Sequence, residues 1–72
     1  MPEDVVTQVP GNVWKVLVKA GDTVKSGDIL FILEVMKTEV AHEAPRDGIV
    51  QAVNIVEGQE GVDAGIAAVT IG

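Results

Sequence analysis

A lysine stands at the midpoint of this 72-residue chain, within the run Glu34-Val35-Met36-Lys37-Thr38-Glu39. A lysine amine can act as a nucleophile and can be attached covalently to another group. The chain has no cysteine and only one histidine, His42, so neither a thiolate site nor a histidine metal site is expected. Nothing indicates a concave site between Glu34 and Glu39, so they do not form a general acid–base pair. We therefore expect no catalytic residue and no metal site, and a function that lies in what Lys37 carries.

The composition indicates one small domain, which we assign to residues 1–72. The net charge of −6 argues against nucleic-acid binding, which requires Lys and Arg to neutralise phosphates. No apolar run approaches the roughly 20 residues that a membrane-spanning helix requires. The acidic start, Met1-Pro2-Glu3-Asp4, has neither the basic nor the apolar region of a signal peptide. These features predict a soluble, cytoplasmic protein with no membrane partner.

The chain contains a degenerate internal repeat, which divides it into halves at about residues 5–36 and 38–71. With Gly11 aligned on Gly48, the β-branched residues and glycines of the two halves coincide. Each half is too small to bury a face alone, so we expect the halves to pack together about a pseudo-two-fold axis. The aligned pairs are Val13 with Val50, Val16 with Val53, Val18 with Ile55 and Gly21 with Gly58 and, after a slip of one residue, Val24 with Val62 and Gly27 with Gly65.

Glycine-bounded apolar runs predict strands at Val13–Val18 and Ile49–Val56, and Gly21-Asp22 and Ser26-Gly27-Asp28 predict turns between strands. Val24, between these turns, is expected to anchor a loop. The continuous apolar run 29–33 is typical of a strand buried on both faces. The predicted core consists of Val13, Val16, Val18, Ile29, Val50, Val53 and Ile55.

The segment around the lysine is ambiguous by local preference alone. Residues 31–44 include good helix formers, but the repeat requires extended structure here. We therefore predict a β-hairpin of Ile29–Val35 and Thr38–Glu43 with Met36 and Lys37 at its tip. A two-residue hairpin turn normally uses Asn-Gly or Asp-Gly, because both positions need positive φ. Met-Lys at such a tip indicates function, and the competing interpretation is an ordinary surface lysine in a slightly longer loop.

The remaining polar and aromatic residues receive structural interpretations. His42 is predicted to be a surface strand residue, and Trp14 to pack on the protein rather than bind a ligand. The three lysines Lys15, Lys19 and Lys25 are expected to form a solvated face. Met36 is expected to be exposed, where a flexible thioether side chain suits contact with a partner.

Several motifs together resemble the biotinyl/lipoyl attachment domain, and more narrowly the biotin carboxyl carrier type. They are Met36-Lys37 at a central hairpin with Glu34 before it, the run Ala44-Pro45-Arg46-Asp47-Gly48, and Gly21-Asp22 through Gly27-Asp28. The resemblance covers about residues 5–71. It implies an all-β fold, a flattened eight-stranded barrel or sandwich of two four-stranded antiparallel sheets with pseudo-two-fold symmetry.

The resemblance also implies a function. Biotin would be joined by an amide bond to Lys37 and would carry carboxylate from a biotin carboxylase site to a carboxyltransferase site. Glu34, Val35, Met36 and Thr38 would be recognised by biotin protein ligase or by these partner enzymes. The protein would then be a carrier subunit or domain of a biotin-dependent carboxylase, without catalytic activity of its own.

Two positions keep alternatives open. Most biotinyl domains of this family have methionine after the lysine, where this chain has Thr38. Lipoyl domains usually have aspartate before the lysine, where this chain has Met36, which favours biotin. The alternatives are a lipoyl carrier and an unmodified scaffold that binds a carboxylase.

Overall fold

The computed structural model describes residues 2–72, which form seven β-strands and no helix. The strands make two antiparallel sheets, ordered β1-β7-β6-β3 and β2-β4-β5. The predicted all-β fold with two antiparallel sheets is confirmed. Since residues 2–72 contain no helix, none of them forms a helix that could cross a bilayer. The strands are β1 Glu3–Val6, β2 Asn12–Val16, β3 Thr23–Val24, β4 Ile29–Val35, β5 Thr38–Glu43, β6 Gly48–Val53 and β7 Ala67–Ile71.

The strand count differs from the expected two sheets of four. One sheet has four strands and the other three, and the place of the eighth strand is taken by an isolated bridge between Gly11 and Val62. Gly58 and Gly61 have φ of 88° and 69°, so the chain turns immediately before Val62 and cannot extend into a longer strand there. β1 was not among the strands predicted from the glycine-bounded runs.

The two halves of the chain exchange backbone hydrogen bonds reciprocally. Gly21 N donates to Val50 O at 2.7 Å, and Val50 N donates to Asp22 O at 2.8 Å. At the aligned positions, Gly58 N donates to Val13 O at 2.9 Å and Val13 N donates to Gln59 O at 2.7 Å. The first half therefore supplies a segment that bonds to β6, and the second half supplies one that bonds to β2. Neither half has its full set of backbone partners alone.

Both predicted aspartate turns are built in the same way. Asp22 accepts a hydrogen bond from Lys19 N through Oδ2 at 2.9 Å, and Asp28 accepts one from Lys25 N at the same distance. Gly21 and Gly27 have φ of 97° and 92°, a region that suits glycine. Between these turns Val24 is buried, as predicted.

One apolar core receives side chains from both sheets. Of the predicted core, Val13, Val50 and Ile55 are buried, whereas Val16, Val18 and Val53 are half-buried and pack against it. Its four largest fully buried side chains are in β4 and β7, namely Leu30, Phe31, Leu33 and Ile71. Full burial of one such side chain contributes roughly 1.5–3 kcal/mol, so β4 is firmly anchored.

The prediction that Ile29 is in the core is wrong, since its side chain is 41% exposed. The register of β4 against β5 shifts between Ile29 and Phe31, which is a β-bulge at Leu30. The bulge breaks the alternation of the strand, so that Leu30 and Phe31 are both buried and Ile29 faces outward. β2 and β6 also end earlier than predicted, at Val16 and Val53.

The prediction that His42 lies on the surface is also wrong. His42 is only 4% exposed and lies directly opposite Phe31 in the β4–β5 pair. On β5, Glu39, Ala41 and Glu43 alternate outward, which turns His42 toward the core. Its Nε2 accepts a hydrogen bond from the backbone N of Gln8 at 2.9 Å, so this polar ring is satisfied inside the protein.

Candidate functional site

The β4–β5 hairpin has the bounds predicted from the sequence, and Met36 and Lys37 form its two-residue turn. Val35 pairs with Thr38, the last pair before the turn. Met36 and Lys37 have φ of 49° and 68°, so both are in the left-handed region that a type I′ turn requires. They are the only non-glycine residues with positive φ between residues 2 and 72.

The backbone conformation of this turn is strained. A left-handed conformation costs a residue with a Cβ roughly 1–2 kcal/mol, and here two adjacent residues adopt it. The buried residues of β4 and the six residue pairs between β4 and β5 hold the hairpin in this shape. Strain of this kind, at a tip where Asn-Gly would avoid it, supports a functional reason for Met36-Lys37.

The side chains of the turn project into solvent. Met36 is 93% exposed, as predicted, and Lys37 is exposed. Within residues 2–72, the Lys37 ammonium makes no hydrogen bond and no ion pair. The surface of the same residues has no cavity. The lysine amine is thus accessible to a macromolecule, and the tip has no concave site in which to bind a free small molecule.

Two carboxylates lie on the hairpin just behind the tip. Glu34 is half-buried and pairs with Glu39 on β5 and with Asn12 on β2, while Glu39 is exposed. Neither carboxylate has an ion pair within the described part of the chain. Like charges directly across a strand pair repel, so the two glutamates make the base of the tip acidic.

A glycine directly before β2 lies against the base of the tip. A methyl group built on Gly11 would lie 2.7 Å from the carbonyl oxygen of Glu34 and 2.9 Å from Cγ2 of Val35. Both distances are shorter than ordinary van der Waals contact. The sequence predicts Gly11 to be a strand boundary and the counterpart of Gly48 in the repeat, without a role at the tip. The sequence does mark the position, because Gly11 aligns with Gly48 and a proline lies shortly before each glycine.

The four recognition residues predicted beside the lysine lie in one short segment, but they differ in exposure. Val35 and Glu34 are half-buried, whereas Met36 and Thr38 are exposed. Met36 and Thr38 are therefore more open to a partner than Glu34 and Val35.

The other residues singled out in the sequence are away from the turn. Trp14 is 42% exposed and the Nζ of Lys15 lies 5.3 Å from its ring centroid, a cation–π contact. The indole thus packs on the protein only in part. Lys15, Lys19 and Lys25 are exposed, as predicted. Among residues 2–72, no three potential metal-ligating side chains come together.

Glu3 and Ile71 lie near the opposite end of the hairpin from its tip. Arg46, just beyond β5, donates from Nε to Glu3 and from Nη2 to the carbonyl oxygen of Ile71, both at 3.1 Å. β5 is six residues long, which separates this end from the tip by about 17 Å.

Comparison with known proteins identifies the family to which a chain with this turn and this fold belongs. Residues 1–71 match the family of biotin/lipoyl domains described as "Biotin-requiring enzyme". The chain belongs to this family. The biotin/lipoyl domain accounts for nearly the whole sequence.

Relatives of this biotin/lipoyl domain include proteins of different lengths. The chain is 51% identical over 51 residues to the biotin/lipoyl attachment protein of Bacillus subtilis, covering 71% of this chain and 70% of that protein. It is 44% identical over 63 residues to the biotin carboxyl carrier protein of Streptococcus mutans, covering 88% of this chain and 48% of that protein. The chain therefore spans about half the length of that carrier protein.

Solved structures show the same fold. The urea carboxylase of Kluyveromyces lactis superposes with a TM-score of 0.90 and 32% sequence identity, covering 100% of this chain and 6% of that one. A single-chain, multi-domain long-chain acyl-CoA carboxylase matches with a TM-score of 0.83 over 97% of this chain and 7% of that one. At 24% identity, the second likeness shows the fold alone.

Proposed function

We propose that this chain is a biotin carboxyl carrier domain that holds biotin through an amide bond to Nζ of Lys37. The observation that carries the proposal is the turn itself. Lys37 is exposed, and its ammonium makes no hydrogen bond or ion pair with another residue of the described chain. The strands behind it hold it in a strained left-handed conformation. The match of residues 1–71 to a family of biotin-requiring enzymes supports the choice of group.

The residues of the turn fit an attached cofactor. Biotin, once attached, supplies the carboxyl-carrying chemistry, which belongs to the cofactor rather than to the protein. The hairpin holds the amine away from the body of the domain and fixes the direction in which the lysine stem leaves it. The stem then provides rotatable bonds, and tethering keeps the attached group near its partner sites at an effective concentration in the mM range.

The proposed partners follow from this role. A biotin protein ligase would read the exposed Met36 and Thr38 and the acidic base at Glu34. A biotin carboxylase and a carboxyltransferase would then receive the loaded tip in turn, and the domain would not be catalytic itself. The names of the relatives, which include carrier proteins and carboxylases, support these partners.

Lipoyl attachment is the alternative in the same fold. The Bacillus subtilis relative is described as a biotin/lipoyl attachment protein, so the family accommodates either group. Met36 directly before Lys37 favours biotin, because lipoyl domains usually have aspartate at that position. An unmodified scaffold is the third possibility, and it predicts that neither ligase modifies the chain.

The deciding experiment is intact mass spectrometry of the protein after treatment with biotin protein ligase, or with lipoate ligase, in separate reactions. We expect one biotinyl group on the wild-type chain and none on Lys37→Arg, which keeps the positive charge but cannot form the amide. Lys15→Arg is the matched control and should be loaded like the wild type, because Lys15 is an exposed lysine on a strand. An adduct on Lys37→Arg, or only a lipoyl adduct on the wild type, would contradict the proposal.

A further inference from the structure

We propose that Gly11 is a positioning residue for Lys37, and that its missing side chain sets the geometry of the tip. This inference rests on the proposed function of Lys37. The three atoms nearest to a Cβ at Gly11 belong to Glu34 and Val35, not to the turn residues. Gly11 acts through Glu34 and Val35, the two residues that lead β4 into the turn.

Glu34 and Val35 lie so close to Gly11 that neither can make room for a Cβ there without a shift of β4. A Cβ on Gly11 would meet a backbone oxygen, that of Glu34, at 2.7 Å and a methyl group of Val35 at 2.9 Å. Val35 is a stiff β-branched residue, so its methyl cannot simply rotate away. The carbonyl of Glu34 belongs to the β-sheet backbone, so it moves only if the strand moves.

Gly11 is also held from the other side, so it cannot retreat. Its N donates to Val62 O at 2.9 Å, and its O accepts from Val62 N at 2.8 Å. The next residue, Asn12, accepts a hydrogen bond from Gly61 N at 3.0 Å through its side-chain oxygen. Segment 61–62 thus fixes the backbone at Gly11, and an added side chain would displace Glu34 and Val35 instead. Met36 and Lys37 follow directly and would move with them.

The internal repeat supplies a matched control at the other end of the molecule. A Cβ on Gly48, the residue aligned with Gly11, would lie 2.5 Å from Cγ2 of Ile71 and 2.7 Å from the carbonyl oxygen of Gly72. Gly48 is likewise held from its other side, by pairing with Val24. The two glycines therefore have equivalent surroundings, but only Gly11 contacts the strand that leads to the lysine.

The experiment compares Gly11→Ala and Gly48→Ala with the wild type, using a biotin protein ligase with biotin and ATP. Both variants should lose stability, which thermal melts measure. Because a displacement of about 1 Å at a reacting group can lower a rate about 100-fold, we expect Gly11→Ala to lower kcat/KM for biotinylation at least tenfold. The loss should fall mainly on kcat. Gly48→Ala should remain within about twofold of the wild type once the rate is expressed per folded molecule, because its strain lies at the far end.

A second measurement separates positioning from general destabilisation. In two-dimensional amide NMR spectra, Gly11→Ala should shift the signals of Met36 and Lys37, and Gly48→Ala should leave them in place. If Gly11→Ala is unfolded in buffer, an excluded osmolyte such as trimethylamine N-oxide is added to all three proteins before both measurements. Equal loss of rate in the two variants, or unchanged tip signals in Gly11→Ala, overturns the proposal. A wild-type chain that is never biotinylated would instead contradict the proposed function of Lys37.

Discussion

The imidazole of His42 lies parallel to the ring of Phe31, with ring centroids 4.5 Å apart and an angle of 17° between the planes. Burial lowers the pKa of His42 below its usual 6.5, and the weaker contact of Nδ1 with the carbonyl of Val40 at 3.4 Å opposes this only in part. Because Nε2 accepts the N–H of Gln8, the neutral ring is the form that fits. A second proton on Nε2 would break that bond.

The lowered pKa predicts how stability depends on pH. The unfolded chain takes up a proton on His42 at a higher pH than the folded chain does, so folding becomes less favourable as the pH falls below 6.5. Above that pH the contribution of His42 is constant. We expect His42→Gln, whose amide oxygen can still accept from Gln8 N, to show a weaker decline in the free energy of unfolding between about pH 7 and pH 5. Parallel curves for the two proteins in urea titrations would show that His42 is not responsible.

Folding should not depend on the group that Lys37 carries. The side chain is exposed and alanine has the same difficulty with positive φ as lysine, so the turn is no more strained in Lys37→Ala. We expect the free energy of unfolding of Lys37→Ala to lie within about 0.5 kcal/mol of the wild type. Leu33→Ala, at a fully buried position of β4, is the contrast and should lose about 2–5 kcal/mol. Thermal melts of the three proteins test this, and a large drop for Lys37→Ala would contradict it.

The strain at the tip predicts a variant that is more stable but cannot carry a group. Met36→Asn combined with Lys37→Gly places the preferred type I′ pair where the backbone already has φ of 49° and 68°. We expect the free energy of unfolding to rise by about 1–2 kcal/mol, measured by denaturant titration. The single variant Lys37→Gly should gain less. No gain in the double variant would mean that the turn is not strained in the wild-type protein.

The tip hairpin illustrates what the sequence could predict. Its strand bounds follow from the repeat, because Ile29–Val35 closes the first half and the second half must begin extended. The positive φ of Met36 and Lys37 also follows, once a two-residue turn is assumed. The identity of the attached group depended on the family resemblance, since a lysine at a turn is compatible with any amide-linked cofactor.

The errors came from local irregularities that periodicity does not encode. The bulge at Leu30 reversed the expected side of Ile29, and the turn at Gly61 shortened the eighth strand to one bridge. His42 was predicted to lie on the surface because its side chain is polar, but it is on the inward side of β5. The contact of Gly11 with Glu34 and Val35 joins residues more than 20 positions apart, which no local pattern in the sequence reveals.

The last prediction concerns Thr38, which is exposed and pairs with Val35 at the base of the turn. The resemblance to biotinyl domains, noted in the sequence, makes methionine the substitution to test at this position. A long apolar side chain would fill a ligase pocket that threonine fills only in part, and each buried methylene contributes roughly 0.8 kcal/mol. We therefore expect Thr38→Met to be biotinylated faster than the wild type, with Lys37 still the modified residue.

Initial rates with one bacterial ligase, measured on wild type, Thr38→Met and Thr38→Val, decide this. Thr38→Val is the matched control, because it removes the hydroxyl without adding length. The stability of all three proteins should agree within about 0.5 kcal/mol, because position 38 is exposed. Equal rates would indicate that a methionine here serves the partner enzymes rather than the ligase. A slower Thr38→Met would mean that the ligase does not read this side of the turn through apolar contact.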